Sequence, residues 1–120
     1  MANRILFVDD DENVVRGLRL SLREQPYEIF SALSGEEGLE LLNEEGPETF
    51  SVIVSDMRMP YMDGAEFLTK TRRLCPDTSR ILLTGHADVD SSISAVNEGR
   101  IFRFLTKPCA PDELCISIEA

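Results

Sequence analysis

The side chains of this sequence that could bind a metal ion or a phosphate group share one position, directly after an apolar run of strand length. They are Asp9, Asp10 and Asp11 after residues 5–8, Asp56 after residues 52–54, Thr84 after residues 81–83, and Thr106 with Lys107 after residues 101–105. Crowded carboxylates repel one another unless they are protonated or bridged by a cation, and hard oxygen ligands suit an octahedral Mg²⁺. Such an ion keeps waters that phosphate oxygens can replace, while an ammonium and a hydroxyl can hold the remaining oxygens. The residue types therefore predict magnesium-dependent phosphate chemistry.

Each of these residues also has an ordinary structural explanation. The stretch of acidic side chains at residues 9–12 is typical of the start of a helix, because the helix dipole favours negative charge there. A single aspartate after a strand is usually a turn former, and a single threonine or lysine is unremarkable. Their joint placement after four strands is much less expected by chance, so we give the combined site more weight than its separate parts.

The elements that would bring these residues together are strands alternating with helices. Apolar runs recur at residues 5–8, 52–54 and 81–83, which suits central strands covered on both faces, while the more polar residues 27–32 and 101–105 suit edge strands. This alternation predicts an α/β fold with a parallel, doubly wound sheet of five strands. The carboxyl ends of the strands in such a sheet form the crevice where ligands bind.

Five helices are predicted between and after the strands. The spacing of Val14, Leu18 and Leu22 indicates a first helix that should end near Pro26. A second begins after Ser34, with Glu37, and runs toward Gly46, and a third begins after Asp63, with Glu66, and stops before Pro76. A fourth follows Asp88 and ends at Gly99, and Pro111 suits the start of a fifth. The fifth would have only about ten residues before Ala120, which is short against the usual three turns. We therefore expect residues 1–120 to be the N-terminal part of a longer protein, with the last helix truncated.

Composition excludes several classes of protein. The chain has 120 residues, enough for one core, and its net charge of -10 would repel nucleic acid and anionic lipid surfaces. No apolar stretch is long enough for a membrane span, and the first residues lack the charged and apolar regions of a signal peptide, so a cytoplasmic location is expected. Neither the three cysteines nor the single His86 has the spacing of a zinc site, and we interpret the cysteines as reduced thiols. The three methionines at residues 57, 59 and 62 are expected to pack inside the protein.

Four motifs in this order resemble the receiver domain of two-component response regulators. They are FVDDDE at residues 7–12, VSDMRMPYMDG at 54–64, LTG at 83–85 and FLTKP at 104–108, and the resemblance covers the chain from Arg4 to the start of the last helix. It implies a flavodoxin-like strand order, 2-1-3-4-5. It also implies a phosphoacceptor signalling domain rather than an enzyme with an external substrate, phosphorylated by a sensor histidine kinase and controlling a C-terminal output domain or another partner.

The resemblance also assigns roles to individual residues. Asp56 would accept the phosphoryl group, and Mg²⁺ would be bound by Asp10, Asp56 and the backbone carbonyl of Arg58, with Asp9 acting through water. Further, Lys107 would contact the phosphoryl group, Thr84 would hydrogen bond to it, Phe104 would be the aromatic switch residue, and the peptide bond between Lys107 and Pro108 would be cis.

Two positions that vary within the family are occupied here by Arg58 and His86. We expect both to modulate the lifetime of the phosphorylated state, although an exposed loop histidine is the plainer explanation of His86. Residues 84–88 and 97–104 are similar to receivers joined to HD-GYP phosphodiesterase domains or to enhancer-binding transcriptional regulators. Homodimerisation through the fourth helix, fifth strand and fifth helix is a further expectation.

The sequence disfavours three other functions. Haloacid dehalogenases also form an aspartyl phosphate, but they need a second aspartate where this sequence has Arg58. A calcium-binding loop at Asp9, Asp11 and Asn13 fails at Val14, where glycine is needed, and at Leu20, where glutamate is needed. A degenerate receiver that only docks to partners is disfavoured because Asp56, Thr84 and Lys107 are all present.

Overall fold

The structure, a computed structural model, describes residues 3–84 and 103–106. In chain order these residues form β1 (Asn3–Val8), α1 (Glu12–Ser21), β2 (Tyr27–Ala32), α2 (Gly35–Glu45), a short 3-10 turn (Pro47–Thr49), β3 (Val52–Asp56), α3 (Gly64–Leu74), β4 (Ser79–Thr84) and β5 (Arg103–Thr106). The predicted fourth and fifth helices lie outside the described residues.

The strands form one parallel sheet in the order β2-β1-β3-β4-β5. This is the predicted parallel arrangement and strand order, with β2 at one edge and β5 at the other. Side chains alternate between the two faces because the side-chain period of a strand is two. Leu6, Val8 and Ile53 face one core together with residues of α2 and α3, whereas Ile5 and Phe7 face a second core together with Leu22.

The helix starts follow the predicted capping pattern. Ser34 caps α2 by accepting a hydrogen bond from the Glu37 backbone N–H at 3.1 Å, and the Glu37 carboxylate accepts one from the Leu33 backbone N–H at 3.2 Å. Asp63 caps α3 by accepting from the Glu66 N–H at 2.9 Å. These caps fix where α2 and α3 begin relative to the sheet.

The first helix is shorter than predicted. It ends at Ser21 with Leu22 as its C-cap, rather than near Pro26. Leu22 is only 1% exposed in the core, and residues 22–26 turn the chain back so that β2 can begin at Tyr27. Within the described ranges, no helix has the length and apolar character needed to cross a membrane.

Candidate functional site

Three aspartates meet at the carboxyl end of the sheet, where β1 and β3 lie side by side. Val8 is paired with Ser55, so Asp9 and Asp56 occupy neighbouring positions just beyond that pair. Asp10 follows on the exposed side. One carboxylate oxygen from each of Asp9, Asp10 and Asp56 lies within 4.8 Å of the other two. The predicted acidic cluster is therefore present in the structure.

The three carboxylates differ in burial and in hydrogen bonding. Asp9 is 3% exposed and Asp56 is 7% exposed, whereas Asp10 is exposed to solvent. An oxygen of Asp9 accepts a hydrogen bond from the Asp11 backbone N–H at 2.9 Å, and Asp11 itself caps α1 by accepting from the Asn13 N–H. Asp9 thus supports the loop between β1 and α1 in addition to contributing charge.

This donor set fits a divalent cation. Carboxylate oxygens in a partly buried cluster repel one another, and a hard cation between them removes that repulsion while accepting the oxygen ligands it prefers. One oxygen of Asp9 is already engaged with the Asp11 N–H, which leaves its other oxygen for a cation or for a water bound to one. The cluster is thus suited to Mg²⁺ with waters completing its coordination.

The backbone around Asp56 is held on several sides. The Ser55 hydroxyl donates a hydrogen bond to the Asp56 carbonyl oxygen at 2.9 Å, and the Met57 N–H donates to the Leu83 carbonyl at 3.0 Å. The Met57 carbonyl accepts a hydrogen bond from the Gly64 N–H at 2.8 Å. A Cβ atom added at Gly64 would collide with the Asp56 carbonyl oxygen, so α3 begins directly against the candidate phosphoacceptor. Ser55 was missed in the sequence because it lies inside an apolar strand and carries no motif of its own.

The loop between β3 and α3 combines a buried layer with an exposed tip. Met57, Met59 and Met62 are buried, which confirms the predicted packing role, whereas Arg58 is exposed. Arg58 lines a depression of about 480 Å³ beside the site together with Met57, Met59, Pro60 and Asp63. Tyr61 is 97% exposed with φ of 67°, and the Met62 N–H donates to the Pro60 carbonyl at 2.7 Å, which makes Tyr61 the central residue of a γ-turn.

The other predicted site residues lie within or directly after β4 and β5 in the sequence. Thr84 is the last residue of β4 and pairs with Thr106, the last residue of β5, while Phe104 pairs with Leu82. The backbone of Thr84 therefore reaches the same carboxyl end of the sheet as Asp56, which pairs with Leu83. Two further predictions, for His86 and for Lys107 with its cis bond to Pro108, lie outside the described residues.

Comparison with known proteins agrees with this geometry. A family model for the response regulator receiver domain matches residues 5–119. The transcriptional regulatory protein GlrR of Escherichia coli strain K12 is 36% identical over 115 residues, which are 96% of this chain and 25% of GlrR. The chain thus spans a quarter of the length of that relative, and it covers similar shares of the regulators HoxA and DctD.

Solved structures show the same relationship. The signal receiver domain of an HD domain-containing protein from Pseudomonas fluorescens Pf-5 is 33% identical, with a TM-score of 0.91 over 99% of this chain and 93% of that chain. The adenylate cyclase from Rhodopirellula baltica is 39% identical, with a TM-score of 0.90 over 99% of this chain and 86% of that chain. The chain belongs to the response regulator receiver domain family of two-component systems.

Proposed function

We propose that this receiver domain accepts a phosphoryl group on Asp56 from the phosphohistidine of a sensor histidine kinase. Phosphorylation on aspartate and binding of Mg²⁺ are general features of the family. The observation that carries the proposal for this chain is the convergence of the Asp9, Asp10 and Asp56 carboxylates within 4.8 Å at the carboxyl end of the sheet.

Mg²⁺ would be held by the carboxylates of Asp10 and Asp56 and by the backbone carbonyl of Arg58, with Asp9 acting through water. The hydrogen bond between Asp9 and the Asp11 N–H supports the indirect role of Asp9, because it engages one of the two carboxylate oxygens. The bound ion would supply positive charge that offsets the charge on the transferring phosphoryl group.

In the transfer step, a carboxylate oxygen of Asp56 attacks the phosphorus atom in line with the bond to the leaving imidazole nitrogen. The new oxygen–phosphorus bond forms as the nitrogen–phosphorus bond breaks, the electron pair of that bond stays on the nitrogen, and the ring, which carries a proton on its other nitrogen, leaves as neutral imidazole. A small phosphodonor such as acetyl phosphate would react in the same way, with acetate as the leaving group. Lys107 would neutralise phosphoryl oxygens by its ammonium group, a role carried over from the family.

The output of phosphorylation would be a change of surface rather than a chemical product. The phosphoryl oxygens would draw in the Thr84 hydroxyl, and Phe104 would move into the space that Thr84 leaves. The backbone register supports this assignment, because Phe104 pairs with Leu82, two residues before Thr84 on the neighbouring strand. The affected face would include β5 and the two predicted helices beside it, and it would contact an output domain or a second copy of the chain.

The wider protein would be a cytoplasmic regulator of which residues 1–120 form the N-terminal receiver. GlrR is a transcriptional regulatory protein and AtoC a regulatory protein, both several times longer than this chain, and one structural relative is the signal receiver domain of an HD domain-containing protein. We favour an output of one of these two kinds. The net charge of -10 argues that any contact with nucleic acid would be made by the output domain.

Incubation with acetyl phosphate and Mg²⁺ tests the phosphoacceptor assignment. Intact-mass spectrometry should show the addition of one phosphoryl group to the wild type and none to Asp56→Asn. The matched control is Asp77→Asn, which removes an exposed aspartate in the loop between α3 and β4 and should be labelled normally. Undiminished labelling of Asp56→Asn would overturn the assignment.

Arg58 and His86 would tune how long the phosphoryl group persists. Hydrolysis needs a water molecule in line with the bond between Asp56 and phosphorus, so neighbouring side chains can block or orient that water. We expect the double variant Arg58→Ala, His86→Ala to change the dephosphorylation rate at least severalfold, in either direction, without preventing phosphorylation. Phosphoryl lifetimes measured across neutral pH, where histidine titrates, would decide it, and equal lifetimes would remove both residues from the mechanism.

A further inference from the structure

We infer that Ser55 is a positioning residue for the phosphoacceptor, an inference that rests on the proposed function of Asp56. Ser55 is the residue before Asp56 and is 0% exposed, and because side chains alternate along a strand it lies on the other face of β3 from the Asp56 side chain. Its hydroxyl cannot contact the transferring group from there. It can act on the reaction only through the backbone of Asp56.

The contact that carries the inference is the hydrogen bond from the Ser55 hydroxyl to the Asp56 carbonyl oxygen, at 2.9 Å. The other half of the same peptide unit, the Met57 N–H, donates to the Leu83 carbonyl of β4 at 3.0 Å. The peptide plane that follows Asp56 is therefore held at both of its polar groups. Its N–H is held by the neighbouring strand β4 and its carbonyl oxygen by the Ser55 side chain.

The orientation of this peptide plane matters because it sets two features of the site together. The peptide plane fixes the direction in which the backbone leaves Asp56, and this direction affects the orientation of the Asp56 carboxylate. It also sets the path to Arg58, whose carbonyl is a proposed metal ligand. The hydrogen bond between Met57 and Leu83 depends only on the backbone, whereas that from Ser55 depends on the residue type.

Loss of the Ser55 hydroxyl should leave the Asp56 carbonyl in a tight space without its side-chain donor. The carbonyl oxygen lies against the first residue of α3, where even a Cβ on Gly64 would collide with it. A buried carbonyl that loses one of its hydrogen-bond donors costs free energy, which favours a shift of its peptide plane. Because small displacements of reacting groups can reduce rates strongly, we expect the maximal phosphorylation rate of Ser55→Ala to fall about tenfold.

The experiment compares four proteins with acetyl phosphate and Mg²⁺, at a temperature well below their melting temperatures. These are the wild type, Ser55→Ala, Ser55→Thr and Thr78→Val. The Thr78 hydroxyl is a matched control, since it is also buried and also donates to a backbone carbonyl, that of Phe50 at 3.0 Å, but at the opposite end of the sheet. Each protein is assayed for the rate at saturating phosphodonor, the KM for acetyl phosphate and the exchange rate of the Met57 amide proton.

We expect Ser55→Ala to lose maximal rate with little change in KM, and to show faster exchange of the Met57 amide. Ser55→Thr retains the hydroxyl and should stay close to the wild type, while Thr78→Val should lose stability but not rate. If Ser55→Thr does not fold, Ser55→Cys preserves the volume with a weaker donor and should be slow like Ser55→Ala.

Three results would overturn the inference. They are a wild-type rate for Ser55→Ala, an equal loss of rate in Thr78→Val, and a Ser55→Cys rate equal to that of the wild type. These differ from a failure of the proposed function itself, in which the wild type would take up no phosphoryl group or would be labelled at a residue other than Asp56.

Discussion

Replacement of Asp10 by asparagine should stabilise the metal-free domain, although it removes a proposed metal ligand. One oxygen of each carboxylate in the cluster lies within 4.8 Å of the others. Two unit charges at about that distance repel by about 3.5 kcal/mol at an effective dielectric constant of about 20, and by about 0.9 kcal/mol at the value of water. Asp10 is exposed to solvent, so its repulsion should lie in the lower part of this range.

We therefore expect Asp10→Asn to raise the free energy of unfolding by about 1 to 2 kcal/mol in the presence of a chelator, because the unfolded chain does not hold these charges together. For a domain of this size the melting temperature should rise by about 4 °C for each kcal/mol. Mg²⁺ should stabilise the wild type by mass action and stabilise Asp10→Asn much less, since the variant has lost a ligand. Thermal unfolding by circular dichroism, with chelator and with Mg²⁺, measures both effects.

Two variants make the test specific. Asp77→Asn removes one exposed carboxylate far from the cluster and should change neither the melting temperature in chelator nor its rise with Mg²⁺. Asp9→Ala removes the same charge as Asp10→Asn but also the acceptor for the Asp11 N–H at the start of α1, so its stability should gain less or fall. Mg²⁺ affinity should also fall more in Asp10→Ala than in Asp9→Ala. A lower melting temperature for Asp10→Asn in chelator, or an unchanged response to Mg²⁺, would refute the electrostatic account of the cluster.

Three further predictions concern the packing that supports the site. Gly38→Ala on α2 should destabilise the domain by about 1 to 3 kcal/mol in chemical denaturation, because the added Cβ would lie 2.9 Å from a ring carbon of the buried Phe67. Gly17→Ala on α1 is the matched control: its Cβ meets no atom within 4 Å, and it should stabilise the domain by about 1 kcal/mol. Tyr61→Gly should raise stability by about 0.5 to 1 kcal/mol by relieving a positive φ, and Tyr61→Ala, which keeps a Cβ, should not. Burial raises the pKa of the Cys75 thiol above its usual value, against smaller opposing effects of Thr78 and Arg80. Because the unfolded chain then loses this proton first, the wild type should lose stability relative to Cys75→Ala as pH rises above about 8.5. A pH-independent difference in melting temperature between the two proteins would contradict this.

Much of the fold could be predicted because its signals are local. The apolar runs at residues 5–8, 52–54 and 81–83 became central strands, and the side chains of Ser34 and Asp63 cap α2 and α3 as their sequence patterns indicated. The end of α1 was predicted poorly, because it depends on tertiary packing. Leu22 continues the helical spacing of Leu18, yet it is the buried C-cap at which the chain turns toward β2.

The acidic part of the site could also be predicted, since the carboxyl ends of parallel strands meet at one edge and the aspartates follow those strands. The contacts that hold this part in place could not. The hydrogen bonds of Ser55 and of Asp9 depend on the direction of single carbonyl and amide groups, and the close approach of Gly64 to Asp56 depends on where α3 lies against the sheet. Nothing in residue type or spacing specifies these relations.

These contacts also indicate where a response to phosphorylation can begin. The Asp9 N–H is hydrogen bonded to the Ala32 carbonyl of β2, and the backbone that follows Asp56 is held by hydrogen bonds with Ser55, Leu83 and Gly64. A phosphoryl group on Asp56 would therefore meet a backbone with few alternative arrangements on the side of β1 and β3. Rearrangement is then expected in β4 and β5 instead, the strands that carry the proposed switch residues Thr84 and Phe104. The same backbone hydrogen bonds would therefore hold Asp56 in place and direct any rearrangement to β4 and β5.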